Sequence, residues 1–250
     1  MISKGPQKSL EEMIELAGYK NSKLKIMNIV VRCALESLIF AESKLADNWE
    51  SFCKKKGALC KASKSIQGIA KPEENAVTNA LGEFIDEHLK GLPIEDPLRM
   101  VEFRYESPKK SKILAGSHQK RIDLKFEARY PNGPEFVIEA KPLFSKRDIN
   151  SKLLGPSGLG RFTRTEEPYT NDHLAALLGY VVDKKLDYWN NSLNESLSTE
   201  DHCEQMETVI LPIWKSDIPS TRHARPSGVQ PIWMLHLLVT YPESAHPHDA

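Results

Sequence analysis

The chain of 250 residues contains no apolar run long enough to span a bilayer and no cleavable leader, so neither membrane insertion nor secretion is expected, and the protein reads as cytoplasmic. Cysteine is scarce. Cys33, Cys53, Cys60 and Cys203 form no CxxC pair, which argues against a zinc knuckle or a disulfide framework and for reduced, mostly packed thiols. Net charge is absent too: 34 Lys and Arg balance 34 Asp and Glu, so bulk electrostatics gives no sign of a polyanion partner. No internal repeat or low-complexity tract appears, which removes solenoids and arrays. The length suffices for one substantial core with an appended module.

Against this plain background two short runs stand out. In Arg121-Ile-Asp-Leu-Lys-Phe-Glu-Ala-Arg-Tyr130, the apolar Ile122, Leu124, Phe126 and Ala128 alternate with Asp123, Lys125, Glu127 and Arg129. In Pro134-Glu-Phe-Val-Ile-Glu-Ala-Lys141, Phe136, Ile138 and Ala140 alternate with Glu135, Val137, Glu139 and Lys141. Period-2 alternation marks strands with one buried face. Pro131-Asn132-Gly133 suits a three-residue hairpin loop with Gly133 in the left-handed position. That loop sets Asp123 opposite Lys141, Leu124 opposite Ala140 and Phe126 opposite Ile138, with Glu139 the next neighbour on the polar face. Register decides everything here, because a one-residue slip moves side chains to the other face.

Asp123 followed on the next strand by Glu139-x-Lys141 resembles the signature of the PD-(D/E)xK nuclease superfamily, the restriction-endonuclease-like fold. Two adjacent carboxylates on a rigid hairpin make a hard oxygen site suited to Mg²⁺ (or Mn²⁺), which keeps several waters. A lysine pointing the same way can orient a water and offset phosphate charge during phosphodiester hydrolysis. By the resemblance, Asp123, Glu139 and the Ala140 carbonyl would hold the metal and Lys141 would position the attacking water. The bland alternative is an amphipathic hairpin with a solvated, salt-bridged outer face.

The order of elements points the same way. Pro72–Leu89 spaces Val77, Ala80, Leu81, Phe84, Ile85 and Leu89 as a helix. Met100–Tyr105 reads as a strand, then comes the hairpin, then a second helix from Asp172 to Trp189, then strands at Thr208–Trp214 and Ile232–Tyr241. The expectation is an α/β protein with a restriction-endonuclease-like αβββαβ core around a mixed sheet over residues 71–243, preceded by an N-terminal helical region over 1–70 and followed by a disordered tail, 244–250.

Many members of the superfamily carry an acid on the helix before the strands. By resemblance Glu74 is the accessory carboxylate, with Glu73 and Glu83 as alternatives; a helix N-terminus favours acids for its dipole in any case. Leu154-Gly-Pro-Ser-Gly-Leu-Gly-Arg-Phe162 resembles the segment after Glu-x-Lys in restriction-like nucleases of bacterial phage defence, and its glycines allow a backbone approach to phosphate. His173 and Tyr180 are the nearest fit to polar residues on the following helix. Between Arg104 and Arg164 there are 14 Lys or Arg against 6 Asp or Glu. Lys146, Arg147, Lys152, Arg161 and Arg164 are therefore expected to meet DNA phosphates without reading sequence.

At the N-terminus, Ser9 and Glu12 form a capping box before a short helix to about Ala17. A long helical pattern follows from Ser22 to about Lys56, with a break at Asp47-Asn48. Ile26–Phe40 is apolar nearly all round, so this helix is expected to bury more than one side, either across the core or against a partner chain or second copy. The resemblance implies a metal-dependent DNA endonuclease in antiphage defence, gated by a partner such as a helicase or other ATPase, with Hachiman-type systems as the analogy. The alternatives are a non-catalytic subunit binding nucleic acid or protein, and a nuclease acting on RNA or junctions.

Overall fold

Ser9 caps the first helix as its spacing predicts: its hydroxyl accepts the Glu12 N–H at 3.2 Å and Glu12 accepts the Ser9 N–H at 2.6 Å. The computed structural model describes residues 7–60, 71–109, 121–163, 167–182, 186–199, 203–226 and 228–242. The connector after Cys60 and the tail from Ser244 lie outside them. After α1 (Leu10–Leu16), the long helix α2 (Asn21–Asp47) runs to the expected break at Asn48 and is continued by α3 (Trp49–Cys53). Helix α4 (Glu74–Gly91) corresponds to the helix expected from Pro72.

Eight described strands form one mixed sheet. In chain order they are β1 (Gln7–Lys8), β2 (Val101–Pro108), β3 (Arg121–Ala128), β4 (Glu135–Pro142), β5 (Leu174–Val182), β6 (Cys203–Val209), β7 (Ile218–His223) and β8 (Ile232–Tyr241). Their order across the sheet is β1-β6-β7-β8-β5-β4-β3-β2. The run β2-β3-β4 is antiparallel, β4-β5-β8 is parallel, and β8-β7-β6 is antiparallel again. Helices α1, α2 and α4 pack into a core shared with one sheet face. The other face carries a second core made with α7 (Leu186–Ser198) and the segment between β4 and β5. That segment holds the short helices α5 (Lys146–Asp148) and α6 (Gly160–Thr163), with a π-helical turn at Ile149–Leu153.

Two expectations need correction, and one strand was not expected. The helix expected from Asp172 to Trp189 is a strand, β5, followed by the start of α7. Leu174-Ala-Ala-Leu-Leu is apolar on every face, and a strand buried between two parallel neighbours carries the same pattern as a buried helix. The strand expected at Thr208–Trp214 lies earlier, at Cys203–Val209. Strand β7 was not expected at all, since Ile218-Pro-Ser-Thr-Arg-His223 is polar. It is buried nonetheless, because Ser220 donates to Met13 Sδ at 3.1 Å and Thr221 Oγ1 bonds His223 and His236 at 2.7 Å each.

The N-terminal helices are part of the main core. Val30, Val31, Ala34, Leu35 and Leu38 of α2 are fully buried, and Ile29 and Ile39 pack partly buried against the same cluster. Their cover comes from α4, β3, β4 and β8 of the same chain, so no partner is needed to bury these side chains. The four cysteines are free, with Cys33 buried. No helix among the described residues is long and apolar enough to cross a membrane.

Candidate active site

The hairpin closes differently from the expected loop. Gly133 N–H donates to the Tyr130 carbonyl at 3.0 Å, and Asn132, not Gly133, takes the positive φ of 58°. Pro131 and Asn132 thus form the corners of a type II turn, which needs φ above zero at its third residue. Gly133 is required for another reason: a Cβ there would lie 2.8 Å from the Ala128 carbonyl oxygen. Ladder pairing resumes only at Ala128 and Pro134, so Leu124 faces Ile138 and Phe126 faces Phe136. The register is two residues away from the expected one. A two-residue shift preserves side-chain facing, so Asp123, Glu139 and Lys141 still project to the same side.

That side is not solvated. Segment 149–162 and α7 cover it, so Val137 is 0% exposed, Glu139 3% and Lys141 7%. An amphipathic hairpin with a wet outer face is excluded at this end of β4. It survives at the other end, where Lys125 pairs with Glu127 and Glu135 at partly exposed positions.

Lys141 organises the site. Its Nζ lies 2.8 Å from Glu139 Oε1 and 2.6 Å from Glu74 Oε1. Of the three candidate acids on α4, Glu74 is therefore the one that reaches the site. Glu73 is the N-cap residue and makes no side-chain cap bond, while Glu83 is exposed on a surface shared with Lys55 and Lys56. Glu74 is fixed from below: Thr78 Oγ1 donates to the Glu74 carbonyl at 3.0 Å and meets the buried Tyr180 hydroxyl at 3.1 Å. Asp123 Oδ2 accepts the Ala140 N–H at 2.7 Å, beyond the last paired rung, Leu124 with Ile138. Lys141 pairs in register with Gly179 on β5, and a Cβ there would strike Leu143 and Leu238 at 2.7 and 2.8 Å.

No family model, curated protein or solved structure matches this chain.

Electrostatics sets the site apart from an ordinary ion pair. Burial, reinforced by Asp123, pushes the Glu139 carboxyl up to about 8 despite Lys141. Burial pushes Asp123 up to about 6, against the opposing pull of Lys141 and the Ala140 N–H. Burial pulls Lys141 down, but Glu139, Asp123 and Glu74 overcome it and hold its ammonium well above the usual lysine range. Glu139 Oε2 is buried and has no hydrogen-bond partner. An unsatisfied carboxylate oxygen beside a second carboxylate is costly without a cation to complete it. Among the described residues no three His, Cys, Asp or Glu side chains form a metal-holding group. A cation here would rest on two carboxylates, with waters or a backbone oxygen filling the shell, which suits Mg²⁺.

A stability measurement tests this. In the unfolded chain a Glu carboxyl titrates near about 4.3, whereas folded Glu139 holds its proton to about 8. Between those values the native state binds more protons, so this stabilisation is full below the lower value and is lost as pH rises through the upper one. Metal-free protein should lose stability from pH 6.5 to 8.5, by up to about 1.4 kcal/mol per unit. Mg²⁺ should raise the melting temperature more at pH 8 than at pH 6. A Mg²⁺ response equal at both values would remove Glu139 as a ligand.

The remaining candidates are spread out. Lys146 pairs with Glu195 at 2.6 Å, and Lys152 pairs with Asp148 at 2.9 Å while lying 5.2 Å from the Phe144 ring centre. Arg147 is exposed, and Arg164 lies outside the described residues. Arg161 comes to the edge of the site. His173 does not: it precedes β5 at the end opposite Tyr180 and packs beside Tyr19, with ring centres 5.9 Å apart. The glycines of the 155–160 loop serve packing instead of a phosphate cradle. A Cβ at Gly155 or Gly158 would fall 2.2 or 2.1 Å from the Ser151 or Leu153 carbonyl oxygen, and the Gly158, Leu159 and Gly160 N–H groups are already bonded within the segment. Tyr169 and Thr78 were missed. Tyr169 acts through Arg121, 48 residues away, which no local pattern announces, whereas Thr78 stands one helical turn after Glu74.

Proposed function

We propose that this chain is a Mg²⁺-dependent phosphodiesterase of the restriction-endonuclease-like fold that cuts DNA, acting in the cytoplasm as an antiphage effector gated by a partner ATPase or helicase. The carrying observation is the Asp123–Glu139–Lys141 cluster, with Glu139 and Lys141 buried, Asp123 half-buried and Glu139 Oε2 without a hydrogen-bond partner. The chain order α4-β2-β3-β4, a helical crossover, then parallel β5 agrees with an αβββαβ core. In that core the crossover is supplied by 146–163 and not by the helix expected at 172–189.

Asp123 and Glu139 would hold the cation, with the Ala140 carbonyl available on the same strand. The metal would supply Lewis-acid activation of the phosphate and a more acidic bound water. Glu139, Asp123 and Glu74 favour the charged form of Lys141 over the pull of burial. The ammonium orients the nucleophile and offsets the charge gathering on phosphorus. Glu74 holds the Lys141 ammonium in place through the 2.6 Å contact.

Purified protein incubated with labelled duplex DNA, single-stranded RNA and branched junctions, with and without Mg²⁺, tests the reading. It is run alone and together with any ATPase or helicase found encoded beside its gene. DNA should be cut only with metal, and Asp123→Asn should lower the rate about 10²-fold or more. Preference for RNA or junctions would change the substrate class. Binding without cleavage under every condition would make the chain a non-catalytic subunit.

A further inference from the structure

Among the described residues, Arg161 has no hydrogen-bonded or ion-paired side-chain partner. Its Nε is buried and makes no hydrogen bond, and among the described residues no carboxylate lies within ion-pairing distance of it. The guanidinium carbon instead lies 5.8 Å from the centre of the Tyr169 ring. Tyr169 is a firm shelf: its N–H donates to the Arg161 carbonyl at 3.1 Å, and its hydroxyl donates to the Arg121 carbonyl at 2.7 Å. Arg121 begins β3 two residues before Asp123, so the shelf ties Arg161 to the start of the strand that bears Asp123. The field of Arg161 is felt at Glu139, whose carboxyl it lowers as a minor opposing influence.

The same protein shows what a structural arginine looks like. Arg225 is 9% exposed and every guanidinium nitrogen is partnered: Nε with the Gln230 carbonyl, Nη1 with Thr170 at 2.8 Å and Nη2 with Asn171 at 3.3 Å. Buried polar groups in folded proteins are nearly always satisfied in this way. Two unsatisfied groups of opposite character, Glu139 Oε2 and Arg161 Nε, belong to residues close enough for Arg161 to act on the Glu139 carboxyl. Such a pair is completed by a ligand carrying both a cation and an anionic oxygen, as a metal-bound phosphate does. The planar guanidinium fork matches phosphate oxygens two at a time, which a lysine cannot copy.

We propose that Arg161, seated on Tyr169, binds non-bridging oxygens of the phosphate being cut, whereas Lys146 and Lys152 are already paired with Glu195 and Asp148. This rests on the phosphodiesterase reading for its substrate but has a readout independent of cleavage. Wild type, Arg161→Gln and Arg161→Lys are melted in Mg²⁺ with increasing inorganic phosphate, after their melting without phosphate and far-UV spectra confirm folding. Phosphate should raise the melting temperature of wild type, leave Arg161→Gln unmoved and raise Arg161→Lys only in part. In single-turnover cleavage, Arg161→Gln should be slower by about 10²-fold or more, and the lysine variant should recover only a minor share. A phosphate response in Arg161→Gln equal to wild type, or none in wild type, overturns the anion site whatever the cleavage result. Cleavage by Arg161→Gln at the wild-type rate overturns it as well. An Arg161-dependent phosphate response in a protein that cuts nothing leaves the anion site standing and removes the nuclease reading.

Discussion

Replacing Lys141 with alanine should lower single-turnover DNA cleavage about 10²-fold or more, the loss typical of a pre-organised charge removed from a reacting centre. Had the lysine stood on a wet outer face, its removal would have had little structural effect. It is instead 7% exposed and pinned between Glu139 and Glu74, so its loss leaves a buried carboxylate without its counter-ion. Breaking a buried pair from one side commonly costs about 3–5 kcal/mol. Glu139 has an escape, since its carboxyl already holds a proton up to about 8 and can remain neutral at pH 7. The variant should therefore fold, with a lower melting temperature that recovers as pH falls. Rate and melting measured on the same sample separate the two effects. Cleavage at the wild-type rate, beside a clear loss of stability, would reduce Lys141 to a structural counter-ion.

The second large effect is expected far from the chemistry. Leu35→Ala should destabilise the protein by about 2–5 kcal/mol, the range for emptying a fully buried leucine site. Leu35 is 0% exposed within α2, which packs on α4 and on β3, β4 and β8. The apolar surround of Ile26–Phe40 invited the idea that another chain covers it. The structure accounts for that pattern with sheet on one side and α4 on another. The melting temperature of wild type and variant should thus be independent of protein concentration. A midpoint rising with concentration in wild type would show that association contributes to covering this helix.

How far the fold could be read from sequence varied with where each residue's neighbours come from. The Ser9–Glu12 cap and the Asn48 break are local, and both were legible. Strand β8 was legible because ten apolar-rich residues bounded by turns leave little choice. Strand β5 was misread, since nothing inside Leu174–Val182 says that its neighbours will be parallel strands. Strand β7 was invisible because Thr221 is made compatible with burial by His223 and His236, residues whose positions only the fold supplies. At the site, the shared facing of Asp123 and Glu139 survived a wrong register because the error was an even number of residues. The burial of Glu139 was not legible. Its cover comes from residues 149–162, which read as a loop. Nor could Arg161 be separated from the other basic residues, since lacking a partner is a property of three dimensions.

Strand β8 sits in the middle of the sheet, yet it is the last described strand of the chain. Strand β5 joins β4 on one side and β8 on the other, so the strand bearing Glu139 and Lys141 gains its full support only when Ile232–Tyr241 has been added. Pairings between segments this distant in sequence form late, after the cost of closing long loops has been met. On the ribosome, a chain halted before residue 232 would already carry Asp123, Glu139 and Lys141 but no finished platform to hold them. Synthesis order thus leaves the Asp123–Glu139–Lys141 cluster without its finished sheet until β8 has been made.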